Sequence, residues 1–397
     1  MGYRGSKSIT GVITTNQIRP GIVKEQRVDG SWYIKSAVYN EKLMYLRCTL
    51  MGFERSCFFL KNVLRRNLSL GNFTSYPRDC QVRILSNQIN IARLTTMSRP
   101  SNKMSPWFLT GFIDAEGSFS ILIQHNIKYK TNWRVKPVFA LGLHKKDIAL
   151  LQEIQYTLGV GKIHKHGKDS VQYRVESTSE LQVIIDHLDE YPLMTAKVAD
   201  YTLFKKAFNL IKDGEHLNKY GLLEIIGIKS SLNLGLNPSL KEAFPGVVTV
   251  NRPEYTFKGP LNPLWVAGFV SGDGSFNVKT SSSISSKLGK RIQLRFGIGL
   301  NLRDKGLILG LATLFNLEQG KHVYTTNDSV YLEVSKFTDI VDIIIPFFNK
   351  YPIQGIKELD FSDFKKVAYI MENKGHLSLD GYNNIMNIKE GMNKNRL

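Results

Sequence analysis

Between residues 105 and 393 the spacing of apolar positions changes period in a fixed order, and the whole order occurs twice. The stretch PWFLTGFIDAEG, from Pro106, predicts an apolar helix ending at or near its acid. Strict alternation follows. Phe119, Ile121 and Ile123 fall on one side, and Ser118, Ser120, Leu122 and Gln124 on the other, the mark of a strand with one buried face. A second strand at 135–144 turns Phe139, Leu141 and Leu143 inward. DIALLQEIQYTLG has helical spacing and stops at Gly159. Two short strands near 161–166 and 171–177 precede the helical SELQVIIDHLDEY and a long helix from Lys197. The order α-β-β-α-β-β-α predicts an α+β fold, with antiparallel sheets carrying helices on one face.

The second occurrence is a duplication. WFLTGFIDAEGSFSI at 107–121 matches WVAGFVSGDGSFNV at 265–278, which places Glu116 over Asp273, 157 positions on. FALGLHKKD lies over FGIGLNLRD at the same offset. EYPLMTAKVADYTLFKKAF lies over KYPIQGIKELDFSDFKKVA, and GEHLNKYGLLEI over GHLSLDGYNNI, at an offset of 160 for the first of these pairs. The chain thus divides into an extension at 1–104, repeats at 105–236 and 262–397, and a linker at 237–261. Pro238, Pro245, Pro253, Pro260 and Pro263 are too dense for a central strand or long helix, although 238–244 suits a short one.

The motif helices carry small residues where an apolar helix has large ones: Gly111 and Ala115, then Gly268 and Gly272. A helical glycine costs about 1 kcal/mol against alanine. That cost makes sense where two helix backbones touch. Two copies in one chain supply both partners, so the helices are expected to pair about a pseudo-two-fold axis with Glu116 and Asp273 at the same end. The paired carboxylates repel one another, and two helix C-termini add negative potential. A divalent cation relieves both. Carboxylates with backbone carbonyls, here those of Ala115 and Gly272, suit Mg²⁺, and a carboxylate-held metal suits phosphodiester hydrolysis.

Charge extends that picture. The net charge of +19 favours a polyanion. Residues 1–104 hold 17 Lys+Arg against 5 Asp+Glu, which is +12 of the total. In the repeats, binding must therefore depend on where charges lie. The 42% of hydrophobic residues allows a sizeable core. No apolar run of membrane-spanning length and no basic amphipathic helix is evident, so no membrane role is expected. The start lacks a secretory pattern, and Cys48, Cys57 and Cys80 match no zinc spacing and suit free thiols.

The two motifs resemble the paired signature of the LAGLIDADG homing endonucleases. From about 105 to 393 the chain resembles the monomeric two-repeat enzymes encoded in fungal mitochondrial introns. That resemblance implies two αββαββα repeats forming a saddle over the DNA major groove, with the two acids meeting at the centre and binding Mg²⁺. It implies a double-strand break with short 3′ overhangs at a long asymmetric site, a mitochondrial location, and a monomer with an internal pseudo-two-fold. It further implies a basic residue near the metals from each repeat, matched by Lys197 and Lys357, and a water-positioning polar residue closing each second strand, matched by His144 and Asn301. Ser271 in place of Asp114 and Asp273 in place of Glu116 depart from strict symmetry, so the two strand nicks are expected to differ in rate.

Strand parity then assigns the groove face. Ser120, Leu122, Gln124, Asn126, Lys136, Val138, Gln172 and Arg174 face outward in the first repeat, and Asn277, Lys279, Ser281, Gln293 and Arg295 in the second. Lys128, Lys130, Lys287 and Lys290 in the hairpin tips suit phosphates. Residues 1–104 read as a leader of little fold without a catalytic role, with a presequence and a nucleic-acid-binding arm as alternatives. Two further functions stay open: an RNA maturase acting on its host intron RNA, which need not keep both acids, and a silent DNA-binding protein.

Overall fold

The structure, a computed structural model, describes residues 11–14, 17–20, 31–39, 42–49, 103–286 and 288–396. Cys57, Cys80 and Lys287 lie outside the described residues, as does the side chain of Cys48. The chain forms two units, Met1–Thr96 and Met97–Leu397. In the first, β1 (Gly11–Thr14), β2 (Gln17–Pro20), β3 (Ser31–Tyr39) and β4 (Lys42–Thr49) form one sheet of order β2-β1-β3-β4. The rest of the expected N-terminal extension lies outside the described residues.

The second unit opens with α1 (Pro106–Glu116), begun by a proline whose missing N–H is spare at that position. The helix runs without a turn into β5 (Gly117–His125), which pairs antiparallel with β6 (Trp133–His144). Then come α2 (Ile148–Leu158), β7 (Lys162–Lys165), β8 (Ser170–Val175), α3 (Thr178–Glu190), α4 (Lys197–Lys212) and α5 (Lys219–Ser230). Gly159 ends α2 at φ 73°, a left-handed cap that suits glycine. The sheet order is β5-β6-β8-β7.

After α6 (Pro238–Ala243), the second repeat follows the same order. It comprises α7 (Pro263–Asp273), β9 (Gly274–Ser282), β10 (Lys290–Asn301), α8 (Lys305–Leu314), α9 (Gln319–His322), β11 (Val323–Thr325) and β12 (Ser329–Val334). It continues through α10, formed by Phe337–Asp339, a π turn Ile340–Ile344 and Ile345–Lys350, to α11 (Lys357–Glu372) and α12 (Leu379–Glu390). The π turn meets Pro346, which donates no helical hydrogen bond and crowds the preceding turn. Its sheet order, β11-β12-β10-β9, matches the first.

Each repeat builds its core behind its sheet. Phe119 on β5 packs on Phe139, Tyr201 and Phe204, with ring centroids 5.3–5.4 Å away. Phe276 on β9 packs likewise on Phe296, Phe361 and Phe364. The linker is tied down at both ends. Arg252 bridges Asp200 at 2.6 Å in the first repeat, and Phe257 lies against Gly306 and Gly310 in the second. Among the described residues no helix is long and apolar enough to cross a membrane.

Candidate active site

The site begins where α1 and α7 touch, and the contact is reciprocal. A Cβ on Gly111 would stand 2.0 Å from the Trp265 carbonyl oxygen, and a Cβ on Gly268 would stand 2.0 Å from that of Phe108. Neither position admits a side chain, so the backbones cross in contact. Farther along, a Cβ on Gly272 would meet the Ala115 Cβ at 2.4 Å and Glu116 Oε1 at 3.3 Å. Glu116 therefore lies against the residue preceding Asp273, and both acids stand at the helix–strand junctions. Glu116 is half-buried, and Asp273 is exposed on one side while the protein crowds the other. Partial burial raises the Glu116 carboxyl above its usual range, the Asp273 charge raises it further, and Lys357 and Lys197 oppose the rise. The protein crowded around the junction desolvates Asp273 and raises it too, against the same lysines.

Both lysines reach the centre. Lys197 Nζ donates to the carbonyls of Ala115 (3.1 Å) and Ile113 (3.2 Å), and Lys357 Nζ donates to that of Gly272. Burial lowers both ammonium pKa values, while Asp114 chiefly for Lys197 and Asp273 chiefly for Lys357 hold them up. His144 lines a cavity of about 500 Å³ together with Glu116, Lys357, Gly272 and His166. Its Nδ1 accepts from Lys146 N at 3.2 Å, which leaves Nε2 for the cavity. Asn301 makes the matching cap to Arg303 N.

The loops before the lysines are fixed by acids that no motif in the sequence marks for this role. Asp114 is buried and accepts from Met194 N, Thr195 Oγ1 and, across the repeats, Trp265 Nε1. Burial pushes its carboxyl up to about 6. Ser271, its counterpart, accepts only from Gln354 N, at 3.1 Å. Asp304 Oδ1 accepts from Ala196 N at 2.6 Å, and Asp147 Oδ1 from Ile356 N at 2.7 Å. A signal was present all the same: Asp147 and Asp304 end the matched FALGLHKKD and FGIGLNLRD segments.

A family model described as LAGLIDADG endonuclease matches residues 109–208 and again 266–368, and each match spans a motif helix, its sheet and the lysine helix behind it. The chain belongs to the LAGLIDADG endonuclease family. It is 42% identical to the probable intron-encoded endonuclease 3 of Neurospora crassa over 97% of this chain and 68% of that protein. It is 38% identical to an uncharacterized protein in ND4 intron 1 of Podospora anserina over 50% of this chain and 41% of that one. The LAGLIDADG meganuclease I-CpaMI, bound to uncleaved DNA, matches at 60% identity and a TM-score of 0.72, over 73% of this chain and 99% of that one. I-SmaMI, bound to uncleaved DNA in the presence of calcium ions, matches at 42% identity and a TM-score of 0.71, over 74% and 100%.

This LAGLIDADG endonuclease presents the sheet faces that parity predicts, with one correction. Ser120, Leu122, Gln124, Asn126, Lys136, Gln172 and Arg174 are exposed or half-buried on one sheet, as are Asn277, Lys279, Ser281, Gln293 and Arg295 on the other. Val138 is on the same face, in register with Ser120, but only 2% exposed. The long side chains of Lys136 and Arg174, both drawn to Glu176, lie on that face beside it, and Val138 is unavailable to a groove. Arg295 makes the corresponding bridge to Glu333 at 3.0 Å. Glu176 and Glu333 carry no motif in the sequence that marks them as partners of these outward basic side chains.

Proposed function

We propose that the chain cuts both strands of a long DNA site by metal-assisted hydrolysis at the centre formed by Glu116 and Asp273. The observation that carries this is the glycine-to-carbonyl contact of α1 with α7, which puts the two acids, two lysines and two helix-end carbonyls at one place. Among the described residues no group of three or more His, Cys, Asp or Glu side chains is placed to hold a metal ion, and Mg²⁺ needs only one or two carboxylates when water and substrate phosphates complete its shell. The donors fit Mg²⁺. Glu116, Asp273 and the carbonyls of Ala115 and Gly272 are all hard oxygens, the ligand type that suits this ion. These four residues would hold the ion. When bound, it supplies an activated water and neutralises the leaving oxygen.

The chain's own residues do the rest. Lys197 and Lys357 reduce repulsion between the acids and offer positive charge to the scissile phosphates. Nε2 of His144 and the Asn301 amide orient water. The outward residues of β5, β6 and β8, and of β9 and β10, read base edges across two turns of major groove, about twenty base pairs. Lys128, Lys130 and Lys290 contact phosphates. The relatives named for introns support intron homing; a mitochondrial location, 3′-overhanging ends and action as a monomer follow from the family resemblance.

The test is Glu116→Gln on the full chain, which removes a ligand charge and little volume. Cutting should fall by at least about 10²–10³-fold with DNA binding kept. Undiminished double-strand cutting would sink the two-acid reading.

A further inference from the structure

The bonds of Asp147 and Asp304 cross the molecule. Asp147 ends the first repeat's second strand segment, yet it accepts from Ile356 N, immediately before Lys357 of the second repeat. Asp304 of the second repeat accepts from Ala196 N, immediately before Lys197 of the first. The lengths, 2.7 and 2.6 Å, are those of strong bonds to a carboxylate. Asp304 is buried, so its bond is shielded from competing water. The approach at Asp147 is closer than a side chain permits: Gly355 has φ 75°, and a Cβ there would stand 2.7 Å from Asp147 Oδ1. The same exchange made twice, with the aspartates 157 positions apart and the donors 160 apart as the two repeats align, marks it as part of the design of the dimer-like fold.

We infer that Asp147 and Asp304 are positioning residues, each setting the lysine of the opposite repeat, so that each strand's cutting centre is completed across the pseudo-two-fold. This rests on the reading of Lys197 and Lys357 as charge-stabilising groups. The cavity beside Glu116 has this composite character: Glu116, His144 and Asp147 come from one repeat, and Lys357, Gly272 and Ile356 from the other. Fixing the backbone N–H just before Lys357 fixes where its helix begins, and hence how far its ammonium reaches. Asp147 also faces the site electrostatically. Its charge raises the Glu116 carboxyl and holds up the Lys357 ammonium. Neither aspartate contacts the reacting atoms through this bond, so its loss should leave DNA affinity intact and change the rate on one strand.

The experiment measures nicking of each strand separately, on a doubly end-labelled duplex carrying the selected target, with the full chain. Lys357→Ala and Lys197→Ala first establish which strand each lysine serves. Asp147→Ala should then slow the strand that Lys357→Ala slows, by about 10- to 100-fold as expected for a misplacement near 1 Å, and spare the other. Asp304→Ala should do the same with the strand of Lys197→Ala. Adding Asp147→Ala to Lys357→Ala should cause no further loss on that strand. Asp147→Asn and Asp304→Asn, which keep an accepting oxygen, should recover most of the rate. If the alanine variants fail to fold, Asp147→Glu and Asp304→Glu, which keep the charge but displace the acceptor, should give the same strand assignment. Equal slowing of both strands, or an added loss in the lysine-free background, would overturn the inference while leaving the role of the lysines standing. Lysine variants that slow neither strand would remove that role, and the inference with it.

Discussion

In the first repeat the acid at the centre is Glu116, and the residue two before it is Asp114, held by hydrogen bonds to Met194, Thr195 and Trp265. In the second they are Asp273 and Ser271, and Ser271 accepts one bond, from Gln354 N. Yet the contacts between the two helices are interchangeable. Gly111 meets the Trp265 carbonyl as Gly268 meets that of Phe108, each leaving 2.0 Å where a Cβ would stand. The difference teaches where a duplicated chain is free to diverge. A backbone contact is shared by both copies, so neither can change without the other. The side chains around the centre carry no such reciprocal backbone contact, and there the halves have separated: Asp114 from Ser271, His144 from Asn301, Thr195 from Gly355.

The largest effect should come from breaking what the halves share. Gly111→Leu or Gly268→Leu should abolish the folded protein, since a bulky chain would enter the partner backbone. Gly111→Ala should already lose about 3 kcal/mol or more in urea unfolding, at the upper end of overpacking costs. A change below about 0.5 kcal/mol, the range of an ordinary surface substitution, would show that the helices do not touch as described. Ala115→Gly should be mild by comparison, because it only opens space beside Gly272.

Next in size are the residues that match between halves but serve different loops. Lys197→Met and Lys357→Met should each reduce cutting by about 10²-fold through lost charge stabilisation. They should do so unequally on the two strands, because each lysine belongs to the cutting centre of one strand. Equal slowing of both strands by both variants would remove that assignment.

Metal dependence should vary with pH in a definite direction. The Glu116 and Asp273 carboxyls are raised above their ordinary values, so protons compete with the cation at higher pH than at a solvated carboxylate. Cutting at limiting Mg²⁺ should therefore weaken on mild acidification and recover with excess metal. A Mg²⁺ requirement that stays flat across that range would contradict the shared site. The smallest effect belongs to single readers of the groove. Arg295→Ala should lose about 1–3 kcal/mol of discrimination at one base pair of one half-site, and Arg174→Ala at one of the other. A target-library profile unchanged by both would refute the assigned faces.

Much of this was legible because period-two alternation fixes which side of a strand is buried. Phe119, Ile121 and Ile123 turn inward, and their neighbours turn outward, as the spacing requires. The reciprocal helix contact was legible because a glycine inside an apolar helix destabilises it unless a second backbone comes close enough to use the space. Val138 was misplaced because parity gives the side of a sheet and says nothing of how neighbouring long chains cover it. The bonds of Asp114, Asp147 and Asp304 were hidden for another reason. They join positions 80 to 209 residues apart, and no local period records such a pairing.

The most direct test of the two-acid centre compares the full chain with Glu116→Gln and Asp273→Asn on a plasmid carrying the selected target, in Mg²⁺ and in Ca²⁺. The account predicts double-strand cutting by the parent in Mg²⁺, binding without cutting in Ca²⁺, and loss of cutting with retained binding in both variants. Full cutting by either variant in Mg²⁺ would contradict it.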